Sequence, residues 1–223
     1  MELTPLQKDA LTELINIAFS RTAASLSELT NNRVDLDAPE VHIEPIASLD
    51  SALTRFVRGD VATVHQVFFG ALGGDALLVL NHDGAVKLVE LLTGPEGSSK
   101  RLSASGKEVL GEVGNILLNA CLGAFGNLLQ IRLGFTVPRL NIEDLGTFLR
   151  SIVIDKDELQ YALVVGARFR VRVTEVTGCL ILVLGIASMQ LLSNAVDRWA
   201  TAALSGAVPP LPGDNQGVPN VGQ

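Results

Sequence analysis

The chain has 223 residues, 48% apolar and 18% charged: a globular composition, unlike a disordered one, with material for one large domain or two small halves on one core. Aromatic residues make up only 4% and the formal net charge is −7, which speaks against a base-stacking platform and against nucleic acid as the main partner. Cys121 and Cys179 each sit in an apolar run and read as buried thiols. The N-terminus has no basic start and no apolar signal core, and the longest apolar stretch, Gly178 to Ala187, is too short to span a bilayer, so a reduced, cytoplasmic protein with no membrane association is expected.

Thr4-Pro5-Leu6-Gln7 reads as a helix start, with an N-cap, a proline at the first helical position and a capping-box glutamine. Leu6, Ala10, Leu14 and Ile17 follow at helical spacing, which predicts a helix to about Leu29, ended by Asn31-Asn32. Val61 to Phe69 and Gly74 to Leu80 read as strands joined by the short Gly70–Gly74 connection, and a helix is predicted near Gly84 to Leu92. Gly94-Pro95-Glu96-Gly97-Ser98-Ser99 reads as a linker. Ser105-Gly106-Lys107-Glu108 reads as a second capping box, opening a helix with Val109, Val113, Ile116 and Leu117 on its apolar face and its end near Leu129. Tyr161 to Val173 and Gly178 to Leu184 predict a second hairpin, turning at Thr174 to Gly178, and Ser188 to Leu204 a final amphipathic helix whose Met189, Leu191, Leu192, Val196 and Trp199 face the core.

The second set of elements repeats the first. At a constant offset of 99 residues Asp9 meets Glu108, Glu13 meets Glu112, Asn16 meets Asn115, Ile17 meets Ile116 and Pro39 meets Pro138, and Val41-His42-Ile43-Glu44 meets Leu140-Asn141-Ile142-Glu143. Beyond a five-residue insertion the offset becomes 104, and Gly74–Leu80 meets Gly178–Leu184; both segments read as central strands buried on both faces. The expected fold is α/β and internally duplicated: a pseudo-twofold antiparallel sheet with long helices packed on it. Residues 1–98 form the expected first repeat and 99–205 the second, together one compact domain, with 206–223 a disordered tail.

Asp9, Glu13 and Asn16 stand at i, i+4 and i+7, so at about 100° per residue they fall within roughly 60° of one another, in a line beside the apolar stripe and facing solvent. Glu108, Glu112 and Asn115 make the same line in the second repeat. A single such line is an ordinary solvated helix face. Two lines in register, each carrying mid-helix an asparagine that helices do not favour, point to a retained function.

The pattern resembles the CheC family of chemotaxis phosphatases, which includes CheX and the phosphatase part of FliY. The family motif is Asp/Ser-x3-Glu-x2-Asn-x22-Pro. Asp9, Glu13, Asn16 and Pro39 match it at every position, while the second copy, Glu108, Glu112, Asn115 and Pro138, departs only in its first residue. The resemblance covers about residues 4–205. It implies an enzyme that dephosphorylates the aspartyl phosphate of a CheY-like receiver in chemotaxis or two-component signalling. It implies that Asn16 and Asn115 position the attacking water, Glu13 and Glu112 dock the receiver by its phosphate-site lysine, Asp9 and Glu108 assist at the contact edge, and Pro39 and Pro138 are structural. Phosphoryl transfer responds mainly to positioning and charge stabilisation, and a carboxamide both donates and accepts, so these residue types suit the task. No cofactor or metal is then expected on this chain, Mg²⁺ belonging to the receiver's own active site. A CheD-type deamidase is a second partner the resemblance implies, and the duplication makes a monomer plausible. Both sites are expected to work, the first slightly favoured by its complete motif.

Other chemistries find less support. His42, His65 and His82 are isolated and lack metal-ligand spacing, Ser25 and Ser27 have no His/Asp partners, and Gly70–Gly74 is followed by no Gly-Lys-Ser/Thr. The competing reading is a non-catalytic binding or scaffold module of the flagellar-switch (FliM/FliY) type, against which both retained asparagines argue. A sensor of a small ligand between the halves has no convergent polar cluster to support it.

Overall fold

The first long helix, α1 (Pro5–Thr30), starts as its sequence dictates: the Thr4 N–H donates to Gln7 Oε1 at 2.9 Å and the Gln7 N–H to Thr4 Oγ1 at 3.2 Å, a reciprocal cap on otherwise orphaned donors. The computed structural model describes residues 3–30, 33–36, 39–93, 102–154, 160–171 and 174–205. The Gly94–Ser99 linker, the Asn31-Asn32 helix stop and the tail from 206 lie outside the described residues. After α1 come β1 (Val34–Leu36), β2 (Glu40–Pro45), a short 3₁₀ turn, α2 (Leu49–Leu53), β3 (Asp60–Gly70), β4 (Gly74–Asn81) and α3 (His82–Thr93). Then α4 (Ala104–Leu129), β5 (Leu133–Phe135), β6 (Arg139–Asp144), α5 (Leu145–Ile154), β7 (Gln160–Val171), β8 (Thr174–Gly185) and α6 (Ile186–Leu204) repeat the order. From α1 to β2 each element and its counterpart begin 99 residues apart, and α3 and α6 begin 104 apart, so the duplication read from single residues holds for whole elements. The extra residues lengthen the second hairpin: β3 and β4 pair as far as Phe68↔Gly74, whereas β7 and β8 pair as far as Val171↔Thr174.

Among the described residues eight strands form one antiparallel sheet, with β1 and β2 on β7, then β8, β4 and β3, and β5 and β6 on β3. The pseudo-twofold passes through the centre of this order, where Leu77 of β4 pairs with Ile181 of β8, its own counterpart at the 104 offset. Each repeat lends its two short strands to the other's hairpin: β1 and β2 pair with β7 (Glu40↔Gly166 through Pro45↔Tyr161), and β6 pairs with β3 (Asp60↔Asp144 through His65↔Arg139). The sheet is therefore shared between the repeats.

One face of the sheet is covered by α1, α3, α4 and α6, with Leu11, Leu14, Leu110, Leu118, Leu122, Leu163, Leu184 and Met189 in a large core. The other face is covered by α2 and α5, where Leu49, Leu53, Phe148 and Leu149 meet Leu77, Val79, Ile181 and Val183. The central strands are buried on both faces, as their unbroken apolar runs predict. By length and composition α4 passes for a membrane-crossing helix, with mean hydropathy 1.4 over an 18-residue window. That apolarity is spent on the sheet, since α4 buries Leu110, Val113, Leu117, Leu118, Cys121 and Leu122.

Four expectations need correction. The cap of α4 is Ser103, whose Oγ accepts from the Gly106 N–H at 3.0 Å; Ser105 already lies inside the first turn. The buried stripe of α1 keeps Ala10 and Leu14 and adds Leu11, Ile15, Ala18 and Phe19, while Ile17 is half-buried and Leu6 is 57% exposed because the stripe is turned toward α4 and the sheet. Thr174–Gly178 is no turn, since it belongs to β8 and pairs with Val171–Ala167. In α6, Leu191 is half exposed while Met189, Leu192 and Val196 are buried.

Candidate functional site

The two predicted polar lines occupy the helix layer. Asp9 and Glu13 on α1, and Glu108 and Glu112 on α4, are exposed, while Asn16 and Asn115 are half-buried. The asparagines are therefore set deeper than their carboxylates, at the margin of each helix's apolar face. The two helices pack against each other, yet no hydrogen bond or ion pair among the described residues links one line to the other. The structure thus brings each Glu/Asn pair together along one helix and keeps the two pairs as separate sites. The four carboxylates make no ion pair among the described residues, so their charge is open to an incoming cation. Pro39 is buried and Pro138 half-buried, each one residue ahead of the strand (β2 or β6) that crosses to the other repeat's hairpin. A proline there removes no ladder donor and fixes the strand's approach.

The sites differ behind the asparagines. Asn119, one turn beyond Asn115, donates from Nδ2 to Asn115 Oδ1 at 2.8 Å. Asn119 Oδ1 accepts from Gln66 Nε2 at 3.1 Å, and Gln66 Nε2 also donates to the Thr136 carbonyl at 2.8 Å. Gln66 is 1% exposed in β3, on the face occupied by Ala62, Val64 and Phe68. Close approach makes this reach possible: a Cβ on Gly114 would stand 2.5 Å from Val64 Cγ2, so α4 lies against β3 where a side chain would hold it off. In α1 the corresponding residue is Ile15, buried, and Ser20 stands where α4 has Asn119, its hydroxyl donating to the Asn16 main-chain carbonyl at 2.9 Å. Gln66 and Asn119 were not among the residues singled out in sequence. Asn119 has no polar amide at its 99-offset counterpart, and the signal for Gln66 is a lone amide in the inward register of an otherwise apolar strand.

The remaining candidates stay apart from the two sites. His65 Nε2 lies 2.9 Å from Asp75 Oδ1, His42 lies 3.8 Å from Glu40 and His82 lies 3.9 Å from Asp83. Burial pushes both the Cys121 and Cys179 thiols up to about 12, so neither is an available thiolate.

In chemical terms each site offers an exposed carboxylate one turn from a half-buried carboxamide on a helix surface. Such a surface suits a partner that brings its own reactive group.

No family model matches the chain. It is 25% identical over 165 residues to the CheY-P phosphatase CheC of Bacillus subtilis, covering 71% of this chain and 78% of that one. It is 22% identical over 160 residues to the flagellar motor switch phosphatase FliY of the same organism, covering 71% of this chain but only 41% of that protein, so the chain spans well under half of that relative. Among solved structures, Thermotoga maritima FliY superposes with a TM-score of 0.72 at 19% identity, over 89% of this chain and all of that one. The FliM middle domain from H. pylori superposes with a TM-score of 0.62 at 9% identity, over 86% of this chain and 99% of that one, so the fold is shared with both FliY and FliM. On sequence relatives and fold together, the chain is similar to CheC and FliY.

Proposed function

We propose that this protein hydrolyses the aspartyl phosphate of a CheY-like receiver domain in the cytoplasm, using Glu13 and Asn16 on one helix and Glu112 and Asn115 on the other. The observation that carries this reading is the pair of Glu-x-x-Asn lines on two duplicated helices, with their carboxylates exposed and uncommitted. An aspartyl phosphate is already activated, and the receiver supplies the Mg²⁺ beside it, so this chain needs no cofactor of its own. What remains is to place a water in line with the scissile P–O bond. The asparagine carboxamide does this, accepting a proton of the water through Oδ1 and donating from Nδ2 to an oxygen. Water attacks phosphorus, the bond to the aspartyl oxygen breaks, and the products are the free aspartate carboxylate and inorganic phosphate. Glu13 and Glu112 pair with the receiver's phosphate-site lysine and set the docking register, with Asp9 and Glu108 at the contact edge. Two sites on one chain supply what a dimer of single-site chains would supply, so a monomer suffices, and a CheD-type deamidase is proposed as a further partner.

The test is single-turnover dephosphorylation of a phosphorylated receiver by the wild type, Asn16→Ala, Asn115→Ala and the double variant. Each single substitution silences one site, and the double variant falls about 10²-fold or more, to the receiver's own rate, the scale of losing one positioned donor. A wild type that binds the phosphorylated receiver without speeding its decay would make the chain a binding module of the flagellar-switch type. A double variant with full activity would remove the site assignment.

A further inference from the structure

Behind the second site runs a chain of amides whose direction is set by the backbone. The Thr136 carbonyl can only accept, so the Gln66 amino group must face it. The same nitrogen gives its other hydrogen to Asn119 Oδ1. Asn119 therefore turns its amino group to Asn115, and Asn115 turns its oxygen to Asn119, leaving the Asn115 amino group pointing away from the relay. The Asn16 carboxamide has no such partner among the described residues, because Ser20 spends its hydroxyl on the Asn16 main-chain carbonyl.

We infer that Asn119, held by Gln66, is a positioning residue for Asn115, and that it makes the second site the faster of the two. The inference rests on the phosphatase reading above, and it reverses the order that motif completeness implies. The end torsion of an asparagine is soft and nearly two-fold, so an untethered carboxamide must both stop turning and choose its correct end at docking. Asn115 has made both choices before the receiver arrives. Its amino group stands ready to donate to an oxygen of the phosphoryl group or the water, and the second lone pair of Oδ1 remains to accept from the water.

The experiment uses two backgrounds of the full chain: Asn16→Ala, which leaves only the second site, and Asn115→Ala, which leaves only the first. Asn119→Asp is added to each. It keeps the acceptor for Gln66 and nearly the same shape but offers no amide hydrogen to Asn115. In the Asn16→Ala background kcat should fall about 10-fold while KM for the phosphorylated receiver stays within about two-fold, the pattern of a lost transition-state contact. In the Asn115→Ala background the same substitution should change neither constant, which also shows that the protein still folds. Asn119→Ala, which adds no charge, should repeat both results. A loss in both backgrounds, or a change confined to KM, would overturn the inference. A second readout is independent of activity. In the side-chain amide NMR spectrum of the wild type, the Asn119 amino proton that bonds Asn115 Oδ1 should exchange with water more slowly than the amino protons of Asn16, and Asn115→Ala should abolish the difference. Equal exchange in the wild type would refute the positioning role whatever the activity. If no receiver is dephosphorylated, the phosphatase reading falls while the NMR result still stands.

Discussion

Gln66 carries the polar relay at a cost: its Oε1 is buried and no donor reaches it, and the Thr63 hydroxyl in the same strand is likewise buried without a partner. An unpaired buried acceptor costs about 1–3 kcal/mol, so an apolar residue at 66 would serve the core better than glutamine does, and the amide stands out as a residue kept for what it touches. Single residues also fix two measurable properties away from the sites. With their thiols pushed up to about 12, Cys121 and Cys179 stay protonated at pH 8. A disulfide reagent such as DTNB should therefore leave the native protein unlabelled over minutes and titrate both thiols once guanidinium unfolds it; rapid native labelling would contradict their burial. Asp144 caps α5, accepting from the Thr147 hydroxyl and, at 3.0 Å, from the Thr147 N–H, and these bonds hold its carboxyl below the ordinary carboxylate range. A depressed folded-state pKa stabilises above the unfolded value and loses that contribution as pH falls through the folded value. The melting temperature of Asp144→Ala should lie below that of the wild type at neutral pH, and the gap should close in acid. The burial of the thiols was legible in sequence from their apolar surroundings, and the candidate asparagines were singled out by their recurrence at one offset. Gln66 and Asn119 were not, because a search for repeated residues passes over whatever one repeat has and the other lacks.

The helices show the same mixture. Thr4 and Gln7 announced the start of α1 because both halves of the cap lie within four residues. For α4 the better-spaced pair, Ser105 and Glu108, drew the boundary two residues late, since Ser103 caps with its own side chain and needs no glutamate in return. The position of each helix over the sheet is not local information at all. Gly114 lets α4 lie on Val64, and Ile15 occupies the same place in α1; only the folded sheet shows that the first is a close approach and the second an ordinary core residue. This gives a paired prediction. Gly114→Ala drives a methyl into Val64 and should destabilise the protein by about 1–3 kcal/mol, the scale of overpacking a core. Gly123→Ala in the same helix meets nothing within 4 Å and should stabilise it by about 0.5–1 kcal/mol by restricting the unfolded chain. Chemical denaturation of the two variants decides the matter: equal effects would mean that α4 does not rest on β3 at this point.

At the scale of the whole molecule, the exchange of edge strands governs how the two sites depend on each other. The residues between each Asn and its strand run through Pro39 or Pro138 and straight onto the hairpin of the other repeat. The antiparallel pairing, the insertion and the central strands could be read from apolar runs and turn residues. The exchange could not, because β2 would satisfy its hydrogen bonds equally well on β3 as on β7, and sequence periodicity does not say which hairpin receives it. A chain divided between Thr93 and Leu102 puts this to the test. Each fragment as a monomer would hold one hairpin and two short strands with no hairpin of the other repeat to join, leaving the edges of β4 or β8 open and each face of a two-stranded sheet without the other repeat's helices, which is too little for independent stability. Neither fragment should unfold cooperatively as a monomer, and mixing the two should restore a cooperative transition and, with it, both sites. A single fragment that melts cooperatively while monomeric would show that β2 or β6 can close on its own hairpin, and that the exchange is one arrangement of the duplicated unit and not a condition of its folding.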